Sequence, residues 1–468
     1  INIGKSIRTD VADIQESMSL NSIDYSKTNI QVEGVDEPDI VKTDGQFIYL
    51  LANSKIYIIK AYPSDEALVL SNITLDEMNV KNIFLNGDKL VLFGNPINSQ
   101  MNLKTSHYDC YYYPSSSTKV NIYDISNKIN PELDKEVQIN GSYIDARMIG
   151  DNIYFISSEY LTKLYHFYEE NETINIPEII IDKEPKKLPL NDINYIDKPG
   201  KMDTITYIVS ISLQSYDINQ ESYMIGSSQD MYMSRNNIYL VYTDYTYNNK
   251  PIFRNYYQDQ NEVTIIHKIS IKNDKIEYIG QGEVPGRILN QFSMDEHNNY
   301  FRIATTLGHV WNNEKKSTNN IYILNEELER VSQIENIAPG ERIYSSRFMG
   351  DKAYLVTFKK IDPFFTIDLS DPEKPKILGK LKIPGYSDYL HPYDENHIIG
   401  IGKDTVEALD SQKEGRGIDF AWYQGIKIAL FDVTDFNNPK EVSKIVIGDR
   451  GTTSEALHNH KSFLFDKQ

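Results

Sequence analysis

Two short stretches decide the fold, RMIGDNIY at residues 147–154 and RFMGDKAY at residues 347–354. In each, an apolar stretch runs into Gly-Asp, and a second stretch rich in Ile, Tyr, Val or Phe follows. Strand-forming stretches on both sides of a short polar turn predict a β-hairpin. Eight turns of this kind recur along the chain, at Asp44-Gly45, Gly87-Asp88, Gly150-Asp151, Arg235–Asn237, Glu296–Asn299, Gly350-Asp351, Asp394–Asn396 and Asn459-His460.

A second repeat marks the end of a later strand. YDISNKINP, IDLSDPEKP and FDVTDFNNP begin at Tyr123, Ile367 and Phe431, and in each an Asp precedes a Pro by seven positions. The pattern indicates a strand that ends in a turn, with Ser or Thr bonding the turn backbone and Pro stopping the strand.

Seven of the eight hairpins are followed by two more strand patterns, and no helical periodicity is sustained. Repeated four-stranded units predict an all-β fold, a β-propeller. The count favours eight four-stranded blades with the last one incomplete, and a seven-bladed propeller is the alternative. Two separate β-sandwiches would also fit, but the hairpin recurs without any linker.

The chain divides into a polar lead-in, residues 1–24, and a propeller domain, residues 25–468. Five blades carry insertions between the second and third strands, at about 96–117, 160–202, 244–261, 308–318 and 403–424. In an up-and-down blade these connections share one face, so we expect them to gather around the channel mouth. Long loops on a rigid scaffold often carry function.

The insertions supply one set of candidate binding residues. Tyrosine and tryptophan on loops offer a large contact area at low entropic cost, which suits recognition. Packing of the loops onto the blades is an equally weighted alternative. The candidates are Tyr111, Tyr112, Tyr256, Trp311 and Trp422.

The beginnings of the innermost strands supply a second set. These polar side chains are expected to ring the channel mouth, where they could bind a polar ligand or a metal ion. A wet polar channel without a ligand is the plainer alternative. The residues are Asp39, Asp145, Arg147, Arg347, Asp388, His391, Glu455 and His458.

Composition excludes several classes of protein. The 468 residues carry a net charge of −19, without the basic patch of a nucleic-acid binder. No apolar run is long enough to predict a transmembrane segment. A single Cys excludes a disulfide framework and a Cys-rich metal site. No nucleophile elbow, phosphate loop or dinucleotide fingerprint is present, which disfavours an enzyme. The acidic stretch Val35–Asp39 leaves Ca²⁺ as the one cofactor to consider, although no complete calcium loop is present.

Four long motifs resemble a known family: YSKTNIQVEGVDEPDIVKTDG (25–45), YSSRFMGDKAYLVTF (344–358), IPGYSDYLHPYDENHIIGIGKD (383–404) and IGDRGTTSEALHNHKSFLFDK (447–467). They look like the signatures of secreted or cell-surface prokaryotic β-propeller proteins distantly related to WD-40 repeats. The resemblance implies a propeller and an extracellular or cell-surface setting, and it implies no activity. The family pattern usually continues past the last hairpin and tends to have another residue in place of His458.

The sequence therefore predicts a non-enzymatic extracellular scaffold that recognises protein or glycan through the face carrying the insertions. Two alternatives stay open. One is an extracellular metal-dependent hydrolase or oxidoreductase with its site in the channel mouth. The other is a structural subunit of a surface assembly, in which the incomplete last blade accepts an added strand.

Overall fold

The computed structural model describes residues 27–97, 117–160, 177–196, 204–226, 228–247, 260–272, 275–310, 316–358, 362–407 and 421–465. The predicted lead-in and four of the candidate aromatic residues lie outside these ranges. Those four are Tyr111, Tyr112, Tyr256 and Trp311.

Thirty-one strands form seven sheets in the described part of the chain. Sheet 1 contains β1 (Val41–Thr43), β2 (Phe47–Ala52), β3 (Lys55–Lys60) and β4 (Leu68–Thr74). Sheet 2 contains β5 (Met78–Asn86), β6 (Lys89–Pro96), β7 (Ser117–Asp124) and β8 (Glu132–Asn140), and is extended by β11 (Glu178–Ile181) and β12 (Glu184–Lys187). Sheet 3 contains β9 (Ser142–Ile149), β10 (Asn152–Tyr160), β14 (Thr204–Ser212) and β15 (Ile218–Met224), and is extended by β13 (Ile193–Tyr195).

The remaining four sheets have four strands each. Sheet 4 contains β16 (Asp230–Met233), β17 (Asn237–Tyr247), β18 (Gln260–Ser270) and β19 (Glu277–Pro285). Sheet 5 contains β20 (Met294–His297), β21 (Tyr300–Leu307), β22 (Thr318–Leu324) and β23 (Arg330–Ile337). Sheet 6 contains β24 (Arg342–Met349), β25 (Lys352–Phe358), β26 (Asp362–Asp368) and β27 (Lys376–Ile383). Sheet 7 contains β28 (Tyr386–Asp394), β29 (His397–Glu407), β30 (Ala421–Asp432) and β31 (Lys440–Ile447).

The only helical elements assigned in these ranges are 3-10 turns, at Ser64–Glu66, Leu190–Asp192, Gln291–Ser293, Glu455–Leu457 and His460–Ser462. None of the described helices is long and apolar enough to cross a membrane.

The first seven predicted hairpin turns are confirmed, and each joins the first two strands of a sheet. The eighth, at Asn459-His460, is wrong, because this stretch forms two 3-10 turns and no strand. The side chains of Ser454 and Asn459 accept hydrogen bonds from the backbone N–H groups of Ala456 and Lys461. These caps stabilise helical turns where the pattern predicted a β-turn.

The Asp-to-Pro repeat closes the turn between the third and fourth strands. In all three copies the aspartate itself accepts the hydrogen bond from the backbone N–H two residues later, rather than the Ser or Thr doing so. The pairs are Asp124 with Ser126 at 2.9 Å, Asp368 with Ser370 at 3.0 Å and Asp432 with Thr434 at 2.9 Å.

The hydrophobic core lies between the faces of neighbouring sheets. Tyr239 of sheet 4 stacks on Phe301 of sheet 5 with ring centroids 4.2 Å apart. Phe364 of sheet 6 stacks on Phe431 of sheet 7 at 4.7 Å. Buried clusters join every consecutive pair of sheets from 1 to 7. Sheets packed face to face in chain order are consistent with a β-propeller.

Contacts between turns fix the relative direction of the sheets. Asn86 Nδ2 in the first turn of sheet 2 donates to Asp151 Oδ1 in that of sheet 3, at 2.9 Å. Asn237 Nδ2 of sheet 4 donates to Glu296 Oε1 of sheet 5, at 2.7 Å. The first turns therefore share one end of the sheets. The connections between second and third strands leave from the opposite end, which we call the insertion face.

The described part of the insertion at 160–202 departs from the prediction. β11 pairs with β8, the outer strand of sheet 2, and β13 pairs in parallel with β15, the outer strand of sheet 3. This part of the insertion therefore lies at the outer rim and not at the channel mouth. The outer strands offer unpaired backbone groups, which the added strands satisfy.

Candidate functional site

Residues 27–40, which we call the central segment, pair with inner strands before the first sheet begins. The backbone of Asp39 exchanges hydrogen bonds with Ile83 of β5, at 3.1 and 2.7 Å. The backbone of Asp36 exchanges hydrogen bonds with Met148 of β9, at 2.8 and 3.0 Å. Sheets 2 and 3 therefore hold the segment by main-chain pairing, which does not depend on side-chain type.

The segment next reaches sheets 4 and 5. Arg235, in the first turn of sheet 4, donates from Nε to the carbonyl of Glu33 at 3.1 Å. Gln31 donates from Nε2 to the carbonyl of Met294, the first residue of β20, at 3.0 Å. These contacts follow the order of the sheets as the segment is traced towards its N-terminal end.

Sheets 6 and 7 complete the series. Arg347 of β24 donates from Nη2 to the carbonyl of Gln31 at 3.3 Å. Asn29 donates from Nδ2 to the hydroxyl oxygen of Tyr389 in β28 at 2.9 Å. A segment that touches sheets 2 to 7 one after another, and then continues into β1, lies among their inner strands.

Glu37 is the buried charge of this segment, with 1% of its surface exposed. His460 Nε2 lies 3.0 Å from its carboxylate, and Arg147 Nη2 lies at 3.9 Å. Burial by itself would raise the pKa of Glu37, but Arg147, His460 and Lys461 outweigh it and hold the pKa well below its usual range. The carboxylate therefore stays ionised and pairs with both Arg147 and His460.

The C-terminal 3-10 turns, which include His460, make further contacts with the central segment. Lys461 donates from Nζ to the carbonyl of Pro38 at 2.6 Å, and the carbonyl of His460 accepts from Asn29 Nδ2 at 2.9 Å. Leu457 is buried against the inner part of sheet 7. The two ends of the described chain thus meet at the centre of the sheets.

Four of the eight predicted channel-mouth residues contact or border the central segment. Arg147 and Arg347 are buried against it, and Asp145 Oδ2 accepts from Arg147 Nη1 at 2.6 Å. Asp39 belongs to the segment itself. Asp145 and Arg147 therefore pair with each other, and Arg347 donates to the backbone of the central segment.

The other four are dispersed. His391 lies beside Tyr389, with 3.1 Å between Nδ1 and the hydroxyl, and its ring packs against Phe463. Glu455 and His458 are exposed on the C-terminal turns. Asp388 lies apart from all of these, near the insertion face.

Glu37 and His460 were missed by the sequence reasoning. The available signal was that the motif at 33–40 lacks strand alternation although it precedes the first hairpin directly. Nothing in the stretch VDEPD (35–39) distinguishes Glu37 as the partner of an arginine more than a hundred positions away in the sequence.

A second cluster lies between sheets 6 and 7 at the insertion face. We call it the aromatic patch, and its members are Tyr344, Phe358, Tyr386 and Tyr423. The Tyr344 and Tyr386 rings are 4.6 Å apart, and the Tyr386 and Tyr423 rings are 5.6 Å apart. Tyr423 is 47% exposed. Trp422 is the one predicted insertion aromatic that the structure describes. It precedes Tyr423 directly in β30, so its side chain lies on the other side of sheet 7.

One exposed arginine, Arg342, covers the patch, and a second, Arg450, stacks on Trp422 on the other side of sheet 7. The Arg342 guanidinium lies 4.7 Å from the centre of the Tyr344 ring, and that of Arg450 lies 4.3 Å from the centre of the Trp422 ring. Stacked guanidinium groups keep free N–H donors at their edges. The patch therefore combines apolar ring faces with hydrogen-bond donors.

Asp388 adds a carboxyl group beside the patch. A register shift between Ser387 and Tyr389 places it in a β-bulge, which is a common way to redirect a side chain. Burial raises the pKa of Asp388 to about 7, against the opposing effects of Lys403 and Arg342. Near neutral pH this group can both donate and accept a hydrogen bond.

The acidic stretch that suggested Ca²⁺ is paired within the chain. Asp36 lies 2.9 Å from Lys42 Nζ, and Glu37 faces Arg147 and His460. Among the residues that the structure describes, no group of three or more His, Cys, Asp or Glu side chains is placed to hold a metal ion.

Fold and site together define an all-β repeat protein whose own N-terminal segment occupies its centre. The family model described as "Beta propeller domain" matches residues 25–468, and the chain belongs to this family. An uncharacterized protein of Methanocaldococcus jannaschii is 32% identical, over 95% of this chain and 72% of the relative. An uncharacterized protein of Archaeoglobus fulgidus is 30% identical, over 95% of this chain and 74% of the relative.

Replacement of Glu37 tests the buried cluster of Glu37, Arg147 and His460. We expect Glu37→Gln to lower the free energy of unfolding by about 3 kcal/mol, because Arg147 and His460 lose their buried counter-charge while Arg147 keeps Asp145. Chemical denaturation measures the change. Glu33→Gln, the same substitution at an exposed position of the same segment, should change stability by less than about 0.5 kcal/mol. Equal effects of the two substitutions would contradict the assignment.

The raised pKa of Asp388 predicts a pH-dependent effect of Asp388→Asn. Between the unfolded pKa near ~3.9 and the folded value of about 7, rising pH ionises the unfolded state first and destabilises the wild-type fold. The melting temperature of the variant relative to wild type should therefore rise from pH ~4 to ~7 and stay constant above. The exposed control Asp65→Asn should show no such trend, and a difference that is flat with pH at position 388 would refute the prediction.

Proposed function

We propose that this chain is a non-enzymatic binding scaffold that acts outside the cell and recognises a glycan or a protein through its insertion face. The observation that carries the proposal is the aromatic patch with Arg342 stacked on it, together with the Trp422–Arg450 pair at the same end of sheet 7. The extracellular setting rests on the motif resemblance alone.

The central segment supports placing function at the surface. A propeller channel is a common ligand site, but here the polar side chains of the inner strands bind residues 27–40 and the C-terminal turns. The chemistry that stays accessible lies at the faces and the rim. Of the described accessible groups, the patch joins aromatic rings, an arginine and a carboxyl group within one interface between sheets.

The composition of the patch favours a glycan. Aromatic rings pack against the apolar C–H face of a sugar, while arginine N–H groups and a carboxyl group bond its hydroxyl or carboxylate groups. Arg342 would further select an acidic sugar, because a guanidinium group binds a carboxylate with two parallel hydrogen bonds.

Glycan-array binding with matched tyrosine variants tests this function. We expect Trp422→Ala and Tyr423→Ala each to weaken glycan binding by about tenfold or more, since aromatic anchors dominate such contacts. Tyr62→Ala is the control, because Tyr62 is an exposed tyrosine at the opposite end of sheet 1. Patch variants that bind like wild type, or an array without any bound glycan, would count against the proposal.

A second candidate function, as a subunit of a surface assembly, is favoured by two apolar sheet faces. Ile445 and Ile447 project from β31 on the side of sheet 7 away from sheet 6, and they are 57% and 47% exposed. On sheet 1, Val41 and Val69 are exposed on the side away from sheet 2. A further strand or sheet from a neighbouring subunit would pack on each face, in the way that the predicted incomplete blade would accept an added strand.

Light scattering across a concentration series tests the assembly. We expect self-association that Ile445→Lys with Ile447→Lys reduces at least about tenfold, because two charges would enter an apolar interface. Ile129→Lys with Leu133→Lys changes two equally exposed residues at the outer edge of sheet 2 and should leave association unchanged. A wild-type chain that stays monomeric throughout would rule the candidate out.

A further inference from the structure

A groove with a volume of about 510 Å³ opens at the outer rim between sheets 3 and 4. One wall comes from β13 and the adjoining part of β15, and the other from the beginning of β19. The parallel pairing of Asn194 with Tyr223 and of Tyr195 with Met224 builds the first wall. The part of the 160–202 insertion that wraps around the rim therefore creates the groove.

Three tyrosines line it. The rings of Tyr223 and Tyr278 lie 5.4 Å apart and form the floor. The hydroxyl of Tyr278 lies 3.0 Å from Nδ1 of His267, which orients its ring. Tyr195 stands at the edge with 70% of its surface exposed. Aromatic faces at several angles suit a cation, because each ring face is electronegative.

Two carboxylates complete the lining. Glu221 and Glu277 both face the groove, and Asn194 Nδ2 lies 3.4 Å from the Glu221 carboxylate. Burial and the nearby Asp192 raise the pKa of Glu221. Among the residues that the structure describes, neither lysine nor arginine lines the groove beside these two carboxylates.

We propose that this rim groove binds an alkylammonium group, carried either by a free polyamine or by a lysine side chain of a protein. The ammonium would pair with Glu221 and Glu277, and its methylene groups would pack against the tyrosine rings. A neutral sugar could stack on the same rings, but it would leave two neighbouring carboxylates and Asp192 uncompensated. The groove volume lies within the range of small-ligand sites, about 300–1,000 Å³.

The rim groove is separate from the aromatic patch. It lies between sheets 3 and 4, whereas the patch lies between sheets 6 and 7 at the insertion face. Loss of one site therefore leaves the other to be measured, and the two proposals fail independently.

Calorimetric titration of the full chain with spermidine and, separately, with hexalysine tests the proposal at physiological ionic strength, where diffuse attraction to the acidic surface is screened. We expect saturable binding of at least one probe. Glu221→Gln with Glu277→Gln should weaken it by about tenfold or more, because two close counter-charges are lost. Tighter binding of spermidine identifies a free polyamine as the source, and tighter binding of hexalysine identifies a lysine-bearing protein.

Three further variants separate this site from general charge attraction. Tyr195→Ala should weaken binding by about threefold, while Tyr195→Phe should retain it, since a cation needs the ring and not the hydroxyl. Glu283→Gln with Glu373→Gln removes the same charge from exposed positions elsewhere and should have no effect. The absence of binding, equal weakening by this control pair, or neutral-sugar binding that survives Glu221→Gln with Glu277→Gln would overturn the proposal.

Discussion

A carboxylate with 1% of its surface exposed must be paired or give up its charge, and Glu37 meets this constraint by facing Arg147 and His460 at once. Arg147 belongs to β9, and His460 belongs to the C-terminal turns. One buried charge therefore ties the beginning of the described chain to an inner strand and to its end. The position of the central segment among the inner strands depends on this pairing.

The position of the central segment bears on where the two proposed sites lie. The inner polar side chains described above bind other residues of the chain, and the proposed sites lie instead at interfaces between neighbouring sheets. Each of these sites also depends on a local departure from the regular four-stranded repeat. A β-bulge directs Asp388 towards the aromatic patch, and the added strand β13 raises one wall of the rim groove. The repeat supplies a rigid frame, and its local irregularities supply the candidate sites.

Local patterns predicted the repeat well. Short polar turns, three of them Gly-Asp, located seven hairpins, since a turn signal between strand-forming stretches depends only on nearby residues. The same signal failed at Asn459, where side-chain caps favour a helical turn. Trp422 and Asp388 were singled out by type, but the arginines near them, Arg450 and Arg342, were not, because they come from other parts of the chain. Glu37 and the rim groove depend on contacts between residues far apart in the chain, which no local pattern encodes.

Hydrogen exchange of the backbone amides of residues 33–40, followed by mass spectrometry, tests the central claim most directly. Asp36 and Asp39 donate their N–H groups to Met148 and Ile83. The structure therefore predicts that these two amides exchange as slowly as those of the inner strands β5 and β9. Exchange as fast as that of the exposed turn at Gly87-Asp88 would show that the segment does not lie among the inner strands, and would contradict the account.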